Sequence, residues 1–403
     1  MRCLYSIAAL VVCCLTAVAA AQEAGEQVVA RINLKAPDNK ENPIFAEQGE
    51  LMTIIEAKDA ALLVKTSLNR RGWIRAADAI ALPKAAPIYD DLIKKEPKEP
   101  WNYVSRAMVW NLRGEKEREI ADLDKAIALG VKGSTVWVNR GAAHATAGDY
   151  DKAIADYDRA IKLGFTDTTV YMNRAVAYMS KNEAQKAIDD FSRVIEKQPD
   201  SLFALLQRGV AYQQLQNYDK AIEDFTAVQK LDAENLQAIN NRGFTYYLKN
   251  DPKKAVDDFS AAIGLNPNSA LAYNNRGFNR QMFGDYTGAI EDFNKAIELS
   301  PKYALAYQNK AWLLATCPEE KIRDGKTAIA AAQKAGELRE WKAITDIKSL
   351  AAAYAETGDF DKAIEWQKKA IEMAQGESKS GEEEMLKLYE AKAPFRFAPP
   401  LAG

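Results

Sequence analysis

Few side chains in this sequence could carry out catalysis, and they do not form the groups that catalysis needs. The chain has a single histidine, His144, and histidine is the usual general base of hydrolases and the commonest metal ligand. Tyr178, Tyr212 and Tyr246 follow it at equal intervals along the chain, which favours a packed histidine. No glycine-rich phosphate loop lies between a predicted strand and a helix. We therefore expect no catalytic residues, no metal site and no cofactor.

The first 21 residues have the pattern of a cleaved export signal. Arg2 gives a short basic start, and residues 4–18 are mostly apolar. Either Ala17-Val18-Ala19 or Ala19-Ala20-Ala21 fits a small-x-small cleavage site. An uncleaved anchor is the alternative, because the apolar run is near the lower limit for spanning a bilayer. We expect a periplasmic or extracellular protein with no membrane contact after signal cleavage.

Cleavage would remove Cys3, Cys13 and Cys14 and leave Cys317 as the last thiol. The mature chain could then form no internal disulfide, so its stability must come from packing. Cys317 precedes Pro318 at the end of a predicted helix, which favours a small buried hydrophobic residue over a nucleophile.

The charge balance of the chain argues against a polyanionic partner. Lys and Arg number 54 against 56 Asp and Glu, for a formal net charge of −2. Without a basic field, nucleic acid is not an expected partner.

Residues 25–82 have a β-like pattern of short alternating runs separated by turns. The predicted strands are Gln27–Ile32, Leu51–Glu56, Ala61–Thr66, Gly72–Arg75 and Ala79–Leu82. The segment Gly72-Trp73-Ile74-Arg75 resembles the closing strand of the bacterial SH3-like family, which implies a small all-β barrel. In that family the domain often binds peptides or peptidoglycan, and Trp73 could lie in such a groove. A packed Trp73 in the core or at its edge is the favoured alternative.

From Ala85 onwards the sequence repeats itself with a period of about 34 residues and two amphipathic helices in each unit. The unit that starts at Ala270 places small or aromatic residues at set positions, and these resemble the tetratricopeptide repeat (TPR) family. Those positions are Tyr273, Gly277, Arg280, Ala289, Phe293, Ala296 and Pro301, with Arg276 where the family usually has Leu. The resemblance implies a mostly α chain in which two-helix units stack into a right-handed superhelix.

The repeat frame divides the chain into segments. Residues 85–99 are predicted to be a half-repeat capping helix that ties the barrel to the stack. Residues 100–377 hold eight units, beginning near Pro100, Ser134, Thr168, Leu202, Leu236, Ala270, Ala304 and Ile344. The seventh is irregular, because Pro318 interrupts it and its second helix starts about five residues late. Residues 378–403 form a C-terminal capping helix and tail.

Two charged columns of the repeat predict an ion-pair ladder. Arg106, Arg140, Arg174, Arg208, Arg242 and Arg276 form one column, and Asp122, Asp156, Asp190, Asp224, Asp258 and Asp292 form the other. Both columns end together, because the last repeat has Leu350 and Trp366 at these positions. We expect each Arg to bond its Asp between the two helices of a unit.

An amide column is the candidate binding site. In related TPR superhelices this position faces the concave groove and holds an extended peptide by its backbone amides, an interaction for which an amide side chain has both donor and acceptor. The alternative is that these amides only bond the neighbouring helix. The column consists of Asn139, Asn173, Gln207, Asn241, Asn275 and Asn309.

Neighbouring columns of the predicted groove hold few charges. They include Asn240, Asn274, Phe244, Phe278 and Trp312. A position in the core is the more common alternative for the three aromatic residues. The family's carboxylate clamp needs Lys and Arg in these columns, so the resemblance implies a neutral extended segment rather than an acidic chain terminus.

The sequence therefore predicts a non-enzymatic scaffold that binds a protein or peptide in the concave groove of its repeats. The alternative is a protein that associates with the cell wall, in which the SH3-like domain binds peptidoglycan and the repeats are a spacer.

Overall fold

The computed structural model describes residues 27–30, 34–35, 44–46, 50–58, 61–66, 71–376 and 378–398. The predicted export signal lies outside these residues. The chain divides into two compact units, Met1–Glu183 and Ala184–Gly403, and each is described by itself below. None of the helices in the described part is long and apolar enough to cross a membrane.

The N-terminal region is β-structure, as the sequence predicts. Its strands are β1 (Gln27–Ala30), β2 (Leu34–Lys35), β3 (Ile44–Ala46), β4 (Leu51–Lys58), β5 (Ala61–Thr66), β6 (Arg71–Arg75) and β7 (Ala79–Ala81). Five of them form an antiparallel sheet in the order β6-β5-β4-β1-β7, and β2 pairs with β3. Alternate residues of this sheet, such as Val28, Ile54 and Val64, form one apolar core. The SH3-like identity of the region stays a prediction.

The rest of the described chain is helical and follows the period of the sequence repeat. Its helices are α1 (Ala86–Lys95), α2 (Pro100–Arg113), α3 (Lys116–Ala128), α4 (Thr135–Thr146), α5 (Tyr150–Lys162), α6 (Thr168–Ser180), α7 (Ala184–Lys197), α8 (Leu202–Gln214), α9 (Tyr218–Leu231), α10 (Leu236–Leu248), α11 (Pro252–Leu265), α12 (Ala270–Met282), α13 (Tyr286–Leu299), α14 (Ala304–Thr316), α15 (Gly325–Leu338), α16 (Ile344–Glu356), α17 (Phe360–Met373) and α18 (Ser378–Glu390). The even-numbered helices α2 to α16 are the first helices of successive repeats. The mostly α fold of stacked two-helix repeats is confirmed.

The two helices of a repeat meet at a small residue of the first helix and an aromatic residue of the second. A Cβ added at Gly209 would lie 2.6 Å from a ring carbon of Phe225, and one at Gly277 would lie 2.9 Å from Phe293. Both rings are fully buried. The glycines therefore let the two helix axes approach until the ring fills the space between them.

The turn between the two helices uses one left-handed residue. Gly148 and Gly284 have φ of 85° and 93°, and Asn250 has φ of 62° at the equivalent place. After Gly284, the side chain of Asp285 accepts a hydrogen bond from the backbone N–H of Gly288 at 3.0 Å and caps the next helix.

The arginine–aspartate ladder is present in both units. Arg242 donates to Asp258 from Nε at 2.9 Å and from Nη2 at 2.6 Å. The same two bonds form in four other pairs, Arg106–Asp122, Arg140–Asp156, Arg208–Asp224 and Arg276–Asp292. Hydrogen bonding to the aspartate raises the pKa of each arginine, so the guanidinium stays charged.

The remaining guanidinium nitrogen of these arginines, Nη1, donates to the second helix of the preceding repeat. The sequence analysis missed this contact. In the first unit Nη1 donates to an aspartate, as from Arg106 to Asp90 at 2.6 Å. In the second unit it donates to a hydroxyl, as from Arg242 to Thr226 at 3.0 Å. One side chain therefore holds three helices together.

Helix α1 joins the sheet to the first repeat within the first unit. Val29 and Leu82 from the sheet region share one buried cluster with Tyr89 of α1 and with Val109 and Trp110 of α2. Such a small sheet buries limited surface by itself, so this shared core stabilises it.

The seventh repeat and the C-terminus are linked in the second unit. Helix α14 ends at Thr316, and the second helix of that repeat starts only at Gly325. The tail after α18 returns to α14, where the backbone N–H of Phe397 donates to the carbonyl of Thr316 at 2.8 Å. The tail thus pairs with a backbone carbonyl that the interrupted helix leaves without an intrahelical partner.

We expect the single substitution Arg242→Leu to lower the free energy of unfolding by about 3–5 kcal/mol, because it leaves the buried Asp258 without its charge partner. The double variant Arg242→Leu with Asp258→Leu should recover most of this loss, since an apolar pair replaces a paired charge. Chemical denaturation of the two single variants and the double variant measures the coupling.

A control is Lys295→Ala, which breaks the exposed pair with Glu298 and should cost less than about 1 kcal/mol. If the free-energy costs of the two single variants simply add up in the double variant, the result would contradict the structural role of the ladder.

Candidate functional site

The first helices of the second unit present one accessible face made of amides and apolar side chains. Residues spaced by three or four along a helix share a face. We call the amide–aromatic face the set of Phe203, Gln207, Asn241, Phe244, Leu248, Leu271, Asn275 and Phe278, on α8, α10 and α12. Phe203, Phe244, Leu248 and Leu271 of this set are exposed.

The predicted amides differ in how accessible they are. Gln207, Asn241 and Asn275 are half-buried in the second unit. Asn309 is buried instead, and its Nδ2 donates to the side-chain oxygen of Asn274 at 2.9 Å. This bond ties α14 to α12, so these two amides act between helices, as the alternative interpretation of the column holds.

Other polar groups also bond between first helices. The Nε2 of Gln213 on α8 donates to Thr245 Oγ1 at 2.6 Å and to the carbonyl of Asn241 at 3.2 Å on α10. Asn240 uses its Nδ2 within α10, donating to the carbonyl of Leu236 at 2.8 Å. These bonds fix the spacing of the helices that carry the amide–aromatic face.

Some buried amide oxygens in this region lack a hydrogen-bond partner within the described part of the chain. They belong to Asn240, Asn279 and Gln281, on α10 and α12. An unpaired buried acceptor is costly to fold stability.

Phe244 and Phe278 occupy equivalent positions and contact a shared neighbour. The ring of Tyr247 lies 5.9 Å from that of Phe244 and 5.4 Å from that of Phe278, centroid to centroid. Phe244 is 47% exposed whereas Phe278 packs against a buried cluster. The aromatic group therefore has an accessible end at Phe244.

Trp312 is covered by the chain itself. The ring of Phe395 in the C-terminal tail lies 5.6 Å from that of Trp312, and the Nζ of Lys348 lies 5.1 Å from it on α16. Arg396 donates from Nη1 to the carbonyl of Ala315 at 3.3 Å and pairs with Glu356 at 2.7 Å. The tail therefore contacts Trp312, which the sequence analysis places in a column of the predicted groove.

In the first unit, Asn139 is exposed and Asn173 is half-buried. Asn139 lines a cavity of about 250 Å³. The walls of this cavity come from α2, α3, α4 and the sheet region, and its lining residues include Gln27, Leu82, Met108, Asn111, Leu112 and Glu119. Glu119 was missed by the sequence analysis, although its position in the repeat otherwise holds alanine.

Trp73 is 51% exposed on β6, which is an edge strand of the sheet. Trp73 therefore does not lie in the core, where the neighbouring Ile74 packs instead. Arg71 and Arg75 are exposed and share the outward face of the strand with Trp73.

The residues considered for catalysis are buried. His144 is buried, with its Nε2 4.0 Å from Asp156 Oδ2, as predicted for a packed histidine. Cys317 is fully buried, and burial raises the pKa of its thiol, which disfavours the thiolate. Within the described ranges no group of three or more His, Cys, Asp or Glu side chains could hold a metal ion.

Comparisons with known proteins agree with the repeat fold. Tetratricopeptide repeat models match residues 134–164, 169–201, 202–235, 236–269, 270–303 and 349–377. No curated protein matches the sequence.

Several solved structures are similar to this chain. A tetratricopeptide repeat protein from Parabacteroides merdae is 20% identical, covers 75% of this chain and 98% of its own, and has a TM-score of 0.45. YrrB, described as a TPR protein with an unusual peptide-binding site, is 23% identical over 47% of this chain and 97% of its own, with a TM-score of 0.43. MamA is 23% identical over 41% and 96%, with a TM-score of 0.39.

We expect a chain that ends at Ala393 to take up more deuterium in the last turn of α14, because it loses the bonds from Arg396 and Phe397 to that turn. Hydrogen exchange followed by mass spectrometry measures this change. A chain that ends at Ala398 keeps these bonds and is the control. Equal uptake in the two truncated chains would contradict the role of the tail.

Proposed function

The chain contains tetratricopeptide repeats between residues 134 and 377, and from this we propose that it is a non-enzymatic scaffold that binds an extended segment of another protein. The amide–aromatic face of α8, α10 and α12 is the proposed binding surface. The observation that carries the proposal is that half-buried amides and exposed apolar side chains lie together on this face.

The chemistry of this face suits a neutral extended segment. Gln207, Asn241 and Asn275 recur at the same position of successive repeats, and each amide can bond both an N–H and a C=O of a peptide backbone. Phe203, Phe244 and Leu271 are exposed nearby, and a contiguous exposed apolar patch marks an interaction surface. No residue of the face carries a charge, which argues against recognition of an acidic terminus.

We expect the triple variant Gln207→Ala, Asn241→Ala and Asn275→Ala to lose most of its affinity for extended peptides, because it removes the groups that bond the peptide backbone. Peptides selected from a random displayed library against the full chain supply the ligands. Isothermal titration calorimetry of the selected peptides should show a loss of at least about tenfold, or about 1.4 kcal/mol.

The matched control replaces an asparagine and a glutamine on second helices, Asn294→Ala and Gln229→Ala, and should bind like the unchanged chain. A triple variant that folds and keeps full affinity would rule out the amide–aromatic face.

Exposed Trp73 favours a second candidate function, which is association with the cell wall through the N-terminal sheet. Its indole shares the outward face of β6 with Arg71 and Arg75. A tryptophan ring stacks on sugar rings, and arginine pairs with the carboxylates of peptidoglycan. In this second function the N-terminal sheet binds peptidoglycan, and the repeats act as a spacer.

We expect Trp73→Ala to reduce retention of the full chain on purified peptidoglycan if this second function holds. The control is Trp101→Ala, which removes an exposed tryptophan from α2. Equal retention of the two variants would exclude a binding role for Trp73.

Export of the protein is part of the proposal and rests on the first 21 residues. Their basic start, apolar run and small-x-small site fit a cleaved signal. Peptidoglycan or an exported protein is an available partner only outside the cytoplasm.

A further inference from the structure

The cavity in the first unit holds a buried charge that its repeat position does not normally carry. Glu119 on α3 is only 3% exposed. The same position in the five following repeats holds a fully buried alanine, in Ala153, Ala187, Ala221, Ala255 and Ala289. Burying a carboxylate costs free energy unless it is paired, so the repeat fold itself does not call for a glutamate here.

The partners of Glu119 leave part of its hydrogen-bonding capacity unused. Asn111 Nδ2 donates to one oxygen at 2.8 Å, and Lys116 Nζ donates to the other at 3.0 Å. A carboxylate has about four acceptor sites, so each oxygen can take one more donor. Glu119 is also the one charged residue that lines the cavity of the described structure.

The rest of the lining combines apolar and amide side chains. Val104, Ala107, Met108 and Leu123 form walls, while Asn139 and Gln27 lie in the lining as well. The cavity volume of about 250 Å³ is below the roughly 300–1,000 Å³ of sites for drug-sized ligands. It suits a single side chain rather than a whole cofactor.

We propose that this cavity binds a lysine side chain of a protein partner, with the aliphatic stem against the apolar walls and the ammonium on Glu119. This inference rests on the proposed scaffold function and adds a charged anchor to it. An ammonium needs only one free acceptor site, whereas a guanidinium binds both carboxylate oxygens side by side. A compact ammonium needs less room beside Asn111 and Lys116 than a planar guanidinium does, which favours lysine over arginine.

Lys116 is then an internal competitor for the same carboxylate. Its side chain is 23% exposed and lies on the first turn of α3. If Glu119 receives a lysine from a ligand, removal of Lys116 makes the carboxylate more available. If Glu119 serves only to hold Lys116 and Asn111, removal of Lys116 brings no gain in binding.

The test uses the full chain and Nα-acetyl-lysine N-methylamide as the probe, with the norleucine and arginine counterparts as comparisons. Ligand-observed NMR titration measures the three affinities. We expect the lysine compound to bind at least tenfold more tightly than the norleucine compound. Glu119→Gln should abolish this preference, and Lys116→Ala should tighten lysine binding several-fold.

A second variant keeps the test independent of Glu119. Ala142→Leu adds bulk to the cavity wall on α4 and should prevent lysine binding while leaving Glu119 unchanged. A norleucine compound that binds as tightly as the lysine compound, an unchanged preference in Glu119→Gln, weaker lysine binding in Lys116→Ala, or normal binding in Ala142→Leu would each overturn the proposal.

The triple variant of the amide–aromatic face separates this inference from the scaffold function. We expect it to bind the lysine compound normally while losing extended peptides. Loss of peptide binding in that variant, together with no lysine preference in the unchanged chain, would leave the scaffold function intact and remove the lysine site.

Discussion

The close contact between one small residue and one aromatic ring determines the geometry of the repeats that have glycine in the first helix. At Gly209 and Gly243 a Cβ would lie 2.6 Å and 3.1 Å from the nearest atom of the opposing helix. The ring of Phe225 or Phe259 fills that space completely. Because the same contact recurs from one repeat to the next, each first helix is placed in the same way, and the residues on its accessible side are free to vary.

The repeat period makes much of this fold predictable from sequence. Two helices per unit, the left-handed turn at Gly284 and the pairing of Arg276 with Asp292 all follow from residues that lie within one period. The bond from Arg242 Nη1 also joins residues that are close in sequence, since Thr226 lies only one helix before Arg242. A comparison of the Thr226 position across the repeats would have predicted this bond. A comparison of the alanine position that Glu119 occupies would have identified Glu119.

Other parts of the site depend on contacts that the repeat period of the sequence does not predict. Phe395 covers Trp312 because the tail returns across 81 residues of sequence, as the bond from Arg396 to Ala315 shows. The strand pattern around Trp73 and Ile74 predicts that one faces inward, but alternation alone does not say which. Likewise, the amide column does not distinguish Asn309, which bonds Asn274, from Asn241, which faces outward with Phe244.

The C-terminal tail acts as a ligand that is permanently attached to its own protein. It offers Phe395 to Trp312 and a backbone N–H to Thr316, which are the two kinds of contact that an extended segment makes. A tethered segment competes at an effective concentration in the millimolar range. An external segment of micromolar affinity would therefore have to displace the tail before it could reach α14. Within the second unit, the tail therefore limits access to the end of α14.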